Sequence, residues 1–516
     1  MAQGGKRAKV TRTVLLTAPP LIAACTILFL DLSPGNPLVT RTAGVAFLMA
    51  AWWISGVVPL AATALLPVAL FPMLGIMGSG PVAANYINDI IFLYLGGFLI
   101  ALAMQRWNLH RRIALGMLML TGASPSAVLA GFMIPTFFIS MWISNTATTM
   151  MMVPIALAVL SDLESRGKDG VSNSFSVGLL LSIAYSASIG GMATLIGTPP
   201  NLSFARILQI TFPQAPHFTF TEWFAFGFPL ALAMALVLWV QLWWMYARTG
   251  KSTRIDPSIV RDQYRSLGPW TFEQGMVLLA FISVGVLWMT RSDLELGAFS
   301  LPGWASLFEH PAYFGDGTVA IAVASGLFLI PARNEKERHL LDWEVAKGLR
   351  WDIVLLYGGG FALASAFVAS GLSAWLGDQL GGLGGLHPVL LVFLVCLGIS
   401  FLTELTSNTA TTEMVLPVLA ALAVAVDINP LLLMLPATFA CSCAFMLPVA
   451  TPPNAIIFGA GKVTVAQMAR TGFLLNLAAV LLITAATVLL GSWVTGESLG
   501  VRPEWAVLPE GPVKPH

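Results

Sequence analysis

The hexapeptide Ser144-Asn145-Thr146-Ala147-Thr148-Thr149 recurs letter for letter as Ser407-Asn408-Thr409-Ala410-Thr411-Thr412, at an offset of 263. At the same offset Asp89 to Phe98 matches Asp352 to Phe361 at seven of ten positions, and Pro154 matches Pro417. Thr198-Pro199-Pro200-Asn201 returns as Thr451-Pro452-Pro453-Asn454 at an offset of 253, so the second copy is ten residues shorter between the two motifs. The loss fits the polar loop 161–173, whose counterpart near Asp427 is short. The chain is a duplication, and its fold must be built from two like units.

Neither unit can be soluble. Hydrophobic residues make up 57% of the chain and charged residues 10%, against about a quarter charged in soluble domains. The charges gather in short clusters between long apolar stretches. At about 20 apolar residues per crossing, the chain holds about ten to twelve spans and no sizeable domain outside the bilayer. The net charge of +1 points to no partner, and the basic residues form no single patch, which speaks against nucleic acid.

Spans are expected at 13–33, 42–60, 61–77, 89–105, 176–210, 222–247, 271–290, 317–331, 351–376, 430–461 and 468–492. Two further stretches, 113–160 and 388–426, carry the hexapeptides. The second is barely two crossings long, and its centre, Thr403-Glu404-Leu405-Thr406-Ser407-Asn408, is polar. A re-entrant hairpin with its tip at mid-membrane explains this better than two spans, because polar backbone at depth needs protein or water around it. The expected organisation is an N-terminal tail and first helix (1–41), a first repeat (42–247), a linker (248–270), a second repeat (271–492) and a C-terminal tail (493–516). Lys6, Arg7 and Lys9 followed by an apolar run resemble a signal peptide with a lipoprotein-like box at Ile22-Ala23-Ala24-Cys25, yet the run continues past Cys25 and reads as a retained span. Cys25, Cys396, Cys441 and Cys443 all lie in apolar stretches and read as packing residues.

With the N-terminus cytoplasmic, 21 of the 26 Lys and Arg fall on cytoplasmic segments, a positive-inside pattern for a multi-pass protein of the plasma (inner) membrane. Asp89 then starts its span outside and Asp352 starts inside, so the repeats are inverted. Inverted repeats point to an alternating-access transporter with its substrate near the midplane. The linker residues Arg248, Lys251, Arg254, Arg261 and Arg265 can touch anionic headgroups.

Hydroxyls and amides at lipid depth are costly unless bonded. One such motif could simply join helices, but two identical copies, each paired with a Thr-Pro-Pro-Asn break, point to a site. Tandem prolines interrupt a helix, freeing carbonyls that suit a small hard cation and a half-helix N-terminus that suits an anion. Ser140 with Ser144, and Thr403 with Ser407, stand one helical turn apart at the shared offset of 263. No Lys, Arg or His occurs in 131–154, 190–205, 400–425 or 445–461, so bound cations would have to offset the charge of an anionic substrate. Glu404 and Glu413 are the main intramembrane carboxylates, read either as proton carriers or, for Glu404, as an ion-paired or hydrogen-bonded packing group and, for Glu413, as a residue at the hairpin end; Glu413 replaces Met150 of the first repeat and so is not part of the symmetric site. Trp142 is read as packing or as a pocket wall, and His110, beside Arg111 and Arg112, as solvated.

The two Ser-Asn-Thr and two Thr-Pro motifs, in this order, resemble those of the divalent anion/sodium symporter family over almost the whole chain. The resemblance implies an all-α polytopic protein of about eleven transmembrane helices plus two re-entrant hairpins, a homodimer, an elevator-type movement, and sodium-coupled uptake of C4-dicarboxylates such as succinate, fumarate and malate. It implies substrate contacts from Ser144, Asn145, Thr146, Ser407, Asn408 and Thr409, completed by Thr198, Pro199, Thr451 and Pro452. One sodium ion would take oxygens from Ser140, Ser144, Asn145 and the Gly197 carbonyl. The other would take Thr403, Asn408 and the carbonyls of Thr406 and Ala450. The rival readings are a sodium-independent dicarboxylate exchanger, a sulfate or tricarboxylate symporter, a channel, and an intramembrane enzyme. The last lacks HExxH, paired intramembrane aspartates and all but a trace of intramembrane His.

Overall fold

The computed structural model describes residues 2–122, 124–166, 173–248, 257–296, 299–334, 337–496 and 498–508. Lys251 and Arg254 of the linker lie outside the described residues. A lipid-embedded chain satisfies its backbone within helices, and this chain is helical almost throughout; among the described residues the exception is an antiparallel hairpin pairing Leu294–Leu296 with Phe299–Leu301. Nine helices among the described residues are long and apolar enough to cross a membrane, which makes this a multi-pass membrane protein. Two expected spans come out shorter. The stretch 61–77 divides into Leu60–Thr63 and Leu66–Met73, with Pro67 at a helix start and Pro72 near its end. The stretch 317–331 holds the 14-residue helix Asp316–Leu329.

Local chemistry sets the helix starts. Asn88 Oδ1 accepts from Ile91 N at 3.3 Å ahead of Asp89–Arg106, and Ser124 Oγ accepts from Ala127 N at 3.3 Å ahead of Pro125–Ser140, which opens on proline. Capping boxes, Thr219 with Glu222 and Thr464 with Gln467, open Phe220–Leu242 and Val465–Thr495.

The packing repeats as the sequence does. Pro125–Ser140 and Asn145–Arg166 pack on Asn173–Met192; their counterparts Pro388–Leu402 and Asn408–Ala425 pack on Leu431–Cys441. Across the duplication, Asn145–Arg166 packs on Pro452–Gly459, and Asn408–Ala425 on Pro199–Thr211. Phe220–Leu242 lies against its own counterpart, Val465–Thr495. The flanking helices break the pattern. Trp351–Ser370 packs on both Pro199–Thr211 and Asn408–Ala425, whereas Asp89–Arg106 packs chiefly on Asp316–Leu329. Glycine permits these approaches: a Cβ at Gly96 would come within 2.5 Å of Ala320 Cβ, and one at Gly359 within 2.5 Å of the Ala64 carbonyl.

His110, read as solvated, is held by protein, and so is its neighbour Arg112. Arg112 is buried, donates to the carbonyls of Leu267, Gly268 and Pro269 at 2.8–3.1 Å, and lies over the rings of Tyr264 and Trp270. His110 is half-buried with Nδ1 3.1 Å from the Met104 carbonyl, and burial holds its pKa below the usual value. Among the cysteines, Cys396, Cys441 and Cys443 are buried and Cys25 is exposed, all as free thiols.

Candidate functional site

Each hexapeptide begins where one helix stops and the next starts. Pro125–Ser140 ends at Ser140, the chain turns, and Ser144 Oγ accepts from Ala147 N at 3.3 Å as Asn145–Arg166 begins. In the second unit Pro388–Leu402 ends before Thr403, and Asn408 opens Asn408–Ala425 with Ser407 at its cap. The turn brings hydroxyl and amide together: Ser140 Oγ is 2.7 Å from Asn145 Oδ1 and 2.7 Å from the Ala187 carbonyl. Thr403 Oγ1 is 2.8 Å from Asn408 Oδ1 and 2.8 Å from the Cys441 carbonyl. One hydroxyl has one hydrogen. With it donated to the carbonyl, Oγ and Oδ1 face each other lone pair to lone pair, an arrangement a bound cation stabilises. Among the described residues no group of three or more His, Cys, Asp or Glu is placed to hold a metal ion, so these neutral oxygen pairs suit a hard monovalent ion better than a transition metal.

The Pro-Pro motifs break helices as their chemistry requires. Asn173–Met192 stops, and after an irregular segment Pro199–Thr211 starts with both prolines in its first turn; Leu431–Cys441 and Pro452–Gly459 repeat this around a longer break. The loosened carbonyls are only partly free, because the asparagine after each Pro-Pro collects them. Asn201 Nδ2 donates to Gly191 O at 3.1 Å and Thr194 O at 2.7 Å. Asn454 Nδ2 donates to the counterparts Ala444 O and Leu447 O, both at 3.0 Å. The first break is the tighter one: a Cβ at Gly197 would come within 2.5 Å of Gly191 O, and one at Gly191 within 2.6 Å of Asn145 Oδ1. The second unit has Ala444 and Ala450 at these positions. The Gly197 carbonyl and the Asn145 amide oxygen both face Gly191, at 3.1 and 2.6 Å from where its Cβ would stand.

The units also differ at the turn. Thr194 Oγ1 donates to the Met141 carbonyl at 2.5 Å. Glu404 stands at the position of Met141, is buried, and accepts from Phe445 N, Met446 N, Leu447 N and Asn476 Nδ2 at 2.7–3.0 Å. Four donors make it a clamp on the irregular segment and favour the packing reading over the proton carrier. The Thr406 hydroxyl is bonded to Leu402 O and Thr411 Oγ1.

Ser144, Gly197 and Pro199 line one small cavity of about 40 Å³ together with Tyr94, Phe98, Trp142 and Ile196. Trp142 therefore walls this cavity while also packing against Phe220 and Phe281. The residues of the second motif do not line it. Thr198 and Thr451 are buried, Thr409 is buried and Thr146 half-buried, and Pro452 is exposed. Sequence reasoning gave no place in the site to Asn201, Asn454, Ala187 or Cys441, nor to Ser188 and Ser442, two buried hydroxyls without a partner beside those carbonyls. For the asparagines the signal was present, since both belong to the repeated tetrapeptide; Ser188 and Ser442 are 254 apart, one off the shared offset of 253, and the repeat does not pair them.

A family model described as the sodium:sulfate symporter transmembrane region matches residues 11–496. The chain is 43% identical over 474 residues to the sodium-dependent dicarboxylate transporter SdcS of Staphylococcus aureus strain USA300, covering 90% of this chain and 88% of that protein. SdcS of strain MSSA476 matches to the same extent. Among solved structures, the YdaH transporter of Alcanivorax borkumensis aligns with a TM-score of 0.57 at 14% identity, covering 88% of this chain and 99% of that one. MtrF of Neisseria gonorrhoeae, which illuminates a class of antimetabolite efflux pumps, aligns with a TM-score of 0.55 at 13% identity, covering 93% and 99%. At these identities the likeness to the two structures is one of fold. With a family model matched over nearly its whole length and a relative at 43% identity, the chain belongs to the sodium:sulfate symporter family, the divalent anion/sodium symporters.

Proposed function

We propose that this protein is a sodium-coupled symporter of C4-dicarboxylates, such as succinate, fumarate and malate, working by alternating access in the inner membrane with its N-terminus cytoplasmic. The observation that carries the reading is the pair of matching oxygen clusters, Ser140 with Asn145 and Thr403 with Asn408, in segments that hold no cationic side chain. Sodium at these clusters, completed by Ser144 and the Gly197 carbonyl in one and by the Thr406 and Ala450 carbonyls in the other, supplies the positive charge a dianion needs. Ser144, Asn145, Thr146, Ser407, Asn408 and Thr409, with Thr198, Pro199, Thr451 and Pro452, then hold the carboxylates. The name of the SdcS relative, a sodium-dependent dicarboxylate transporter, favours the same substrate class.

Pro125–Ser140 and Pro388–Leu402, at 16 and 15 residues, are about 24 and 22 Å long, short of the roughly 30 Å hydrocarbon core. That length supports re-entrant hairpins at 113–160 and 388–426. The crosswise packing of motif helices supports two inverted repeats, 42–247 and 271–492, joined by the linker 248–270. In this reading a core carrying both motifs moves elevator-fashion against 89–106 and 351–370 within a homodimer. The family's description favours sulfate as the second reading for the substrate.

Uptake of labelled succinate into proteoliposomes tests the proposal, comparing an inward sodium gradient with equal potassium, with and without succinate inside. Accumulation driven by sodium into empty vesicles is expected. Uptake that ignores sodium and needs internal dicarboxylate would make the protein an exchanger, and sodium-driven uptake of sulfate but not succinate would move it to the second reading.

A further inference from the structure

Exchanging the two units maps each residue onto its counterpart, yet counterparts sit in different surroundings. At the first turn and break, Ile196 and Trp142 are packed: a Cβ at Gly97 would come within 3.1 Å of Ile196 Cδ1, and Trp142 rests on Phe220 and Phe281. Their counterparts Val449 and Leu405 are 82% and 69% exposed. Inside the motif helices the relation reverses. Glu413 is fully buried against Gly360, while its counterpart Met150 is 61% exposed. Gly97 and Gly360 are themselves counterparts. The notch at Gly97 thus holds a break residue, and the notch at Gly360 holds a motif-helix residue. Exchanging the units would place Val449 in the Gly360 notch and Met150 in the Gly97 notch, and would expose Ile196 and Glu413.

We propose that Glu413 is a proton-binding site, closed with its proton in place in the conformation seen here and open to water in the exchanged one. The inference rests on the alternating-access reading above. Ser203 Oγ donates to Glu413 Oε1 at 2.5 Å, while Oε2 is buried with no partner. Tyr357 and Cys441 are the titratable groups that face it from the packed helices. The charged residues of those helices are engaged or lie away from it: Arg206 pairs with Asp89 at 3.7 Å, Asp352 with Arg350 at 2.7 Å, Arg41 donates to Leu74 O, and Asp378 is exposed. A buried carboxylate with one bare oxygen and no counter-charge is costly, and the neutral acid removes that cost. Met150 has no proton to exchange, so acid favours only one of the two end states, the one seen here. Because the site opens in a single state, the proton returns to the side it came from and is not carried across.

The test uses the full-length protein in nanodiscs, with Cys25 replaced by serine and carrying Val449→Cys or Ile196→Cys. Labelling by a membrane-impermeant maleimide is followed, each rate divided by that of the same variant denatured in detergent at the same pH. Without dicarboxylate, lowering the pH from about 8 to about 5.5 should raise labelling of Val449→Cys and lower that of Ile196→Cys, by up to about tenfold per pH unit while Glu413 titrates. Adding Glu413→Gln, or Glu413→Met as in the first unit, should hold both rates at their acid values at every pH. Reciprocal labelling changes on adding sodium and succinate, combined with indifference to pH or with a pH response that survives Glu413→Gln and Glu413→Met, would overturn the role of Glu413 alone. Labelling that never changes reciprocally under any condition would sink the alternating-access reading and this inference with it.

Discussion

Replacing Glu404 by alanine should strip partners from four donors at once, two of them buried (Phe445 N and Asn476 Nδ2) and two half-buried (Met446 N and Leu447 N). Its Oε1 accepts from Phe445 N at 2.7 Å, Met446 N at 2.8 Å and Asn476 Nδ2 at 2.9 Å, and its Oε2 from Leu447 N at 3.0 Å. Three of these are main-chain N–H groups in the irregular segment between Cys441 and Pro452, where no helix takes them up. A buried donor left bare costs about 1–3 kcal/mol, so Glu404→Ala should lose at least about 2 kcal/mol from the two buried donors, with a further loss from the two half-buried ones. That is a large share of the roughly 5–15 kcal/mol that holds a typical folded domain together. Glu404→Gln can keep the three bonds to Oε1 through its amide oxygen but turns an NH2 toward Leu447 N, a loss of about 1–3 kcal/mol. The thermal midpoint of the detergent-purified protein should therefore fall in the order wild type, Glu404→Gln, Glu404→Ala, and the pH profile of succinate uptake should keep its shape in Glu404→Gln. A wild-type midpoint in Glu404→Ala would refute the clamp. So would a flattened pH profile in Glu404→Gln with an unchanged midpoint, since that is the behaviour of a proton carrier.

Asn145→Ala and Asn408→Ala should each abolish sodium-driven uptake while the protein still inserts, because each amide serves the oxygen cluster and the substrate together; wild-type rates in both would remove the assigned sites. Asn201→Ala should destabilise the protein by about 2–6 kcal/mol, since it leaves two buried carbonyls without their donor, and Asn454→Ala by somewhat less, since the Leu447 carbonyl is half-buried; both read as a lower thermal midpoint. Thr194→Val should cost about 1 kcal/mol through loss of the bond to Met141 O, a mild effect beside Glu404→Ala. Burial depresses the pKa of His110 in the fold, so its neutral form contributes stability that is fully present above the unfolded value near 6.5 and is lost as the pH falls through and below it. The midpoint should drop on acidification from about pH 8 to about pH 5.5, and His110→Gln should reduce that drop.

The duplicated motifs were legible because hydroxyls, amides and tandem prolines are conspicuous in apolar segments, and a repeat declares itself by its offset. Helix breaks at Pro199-Pro200 and Pro452-Pro453 follow from covalent chemistry alone, since proline brings no amide hydrogen wherever it stands. The fate of the loosened carbonyls does not follow in that way. That Asn201 and Asn454 gather two each, and that Glu404 rather than a counterpart of Thr194 braces the second break, depends on which groups the turns bring within about 3 Å. His110 was misjudged for the same reason: a residue in a basic turn reads as solvated until the fold covers it and offers the Met104 carbonyl.

By itself the sequence determined that the chain is a duplicated, helical membrane protein whose polar motifs lie at helix breaks. Those properties are additive along the chain, set by transfer cost, proline geometry and repetition. Only the tertiary structure decided which member of each duplicated pair is covered: Ile196 and not Val449, Glu413 and not Met150. Two copies of one motif have the same local chemistry, so nothing in the motif distinguishes them. The distinction arises when helices 89–106 and 351–370 meet the motif-bearing core unequally, and that is a property of the assembled fold.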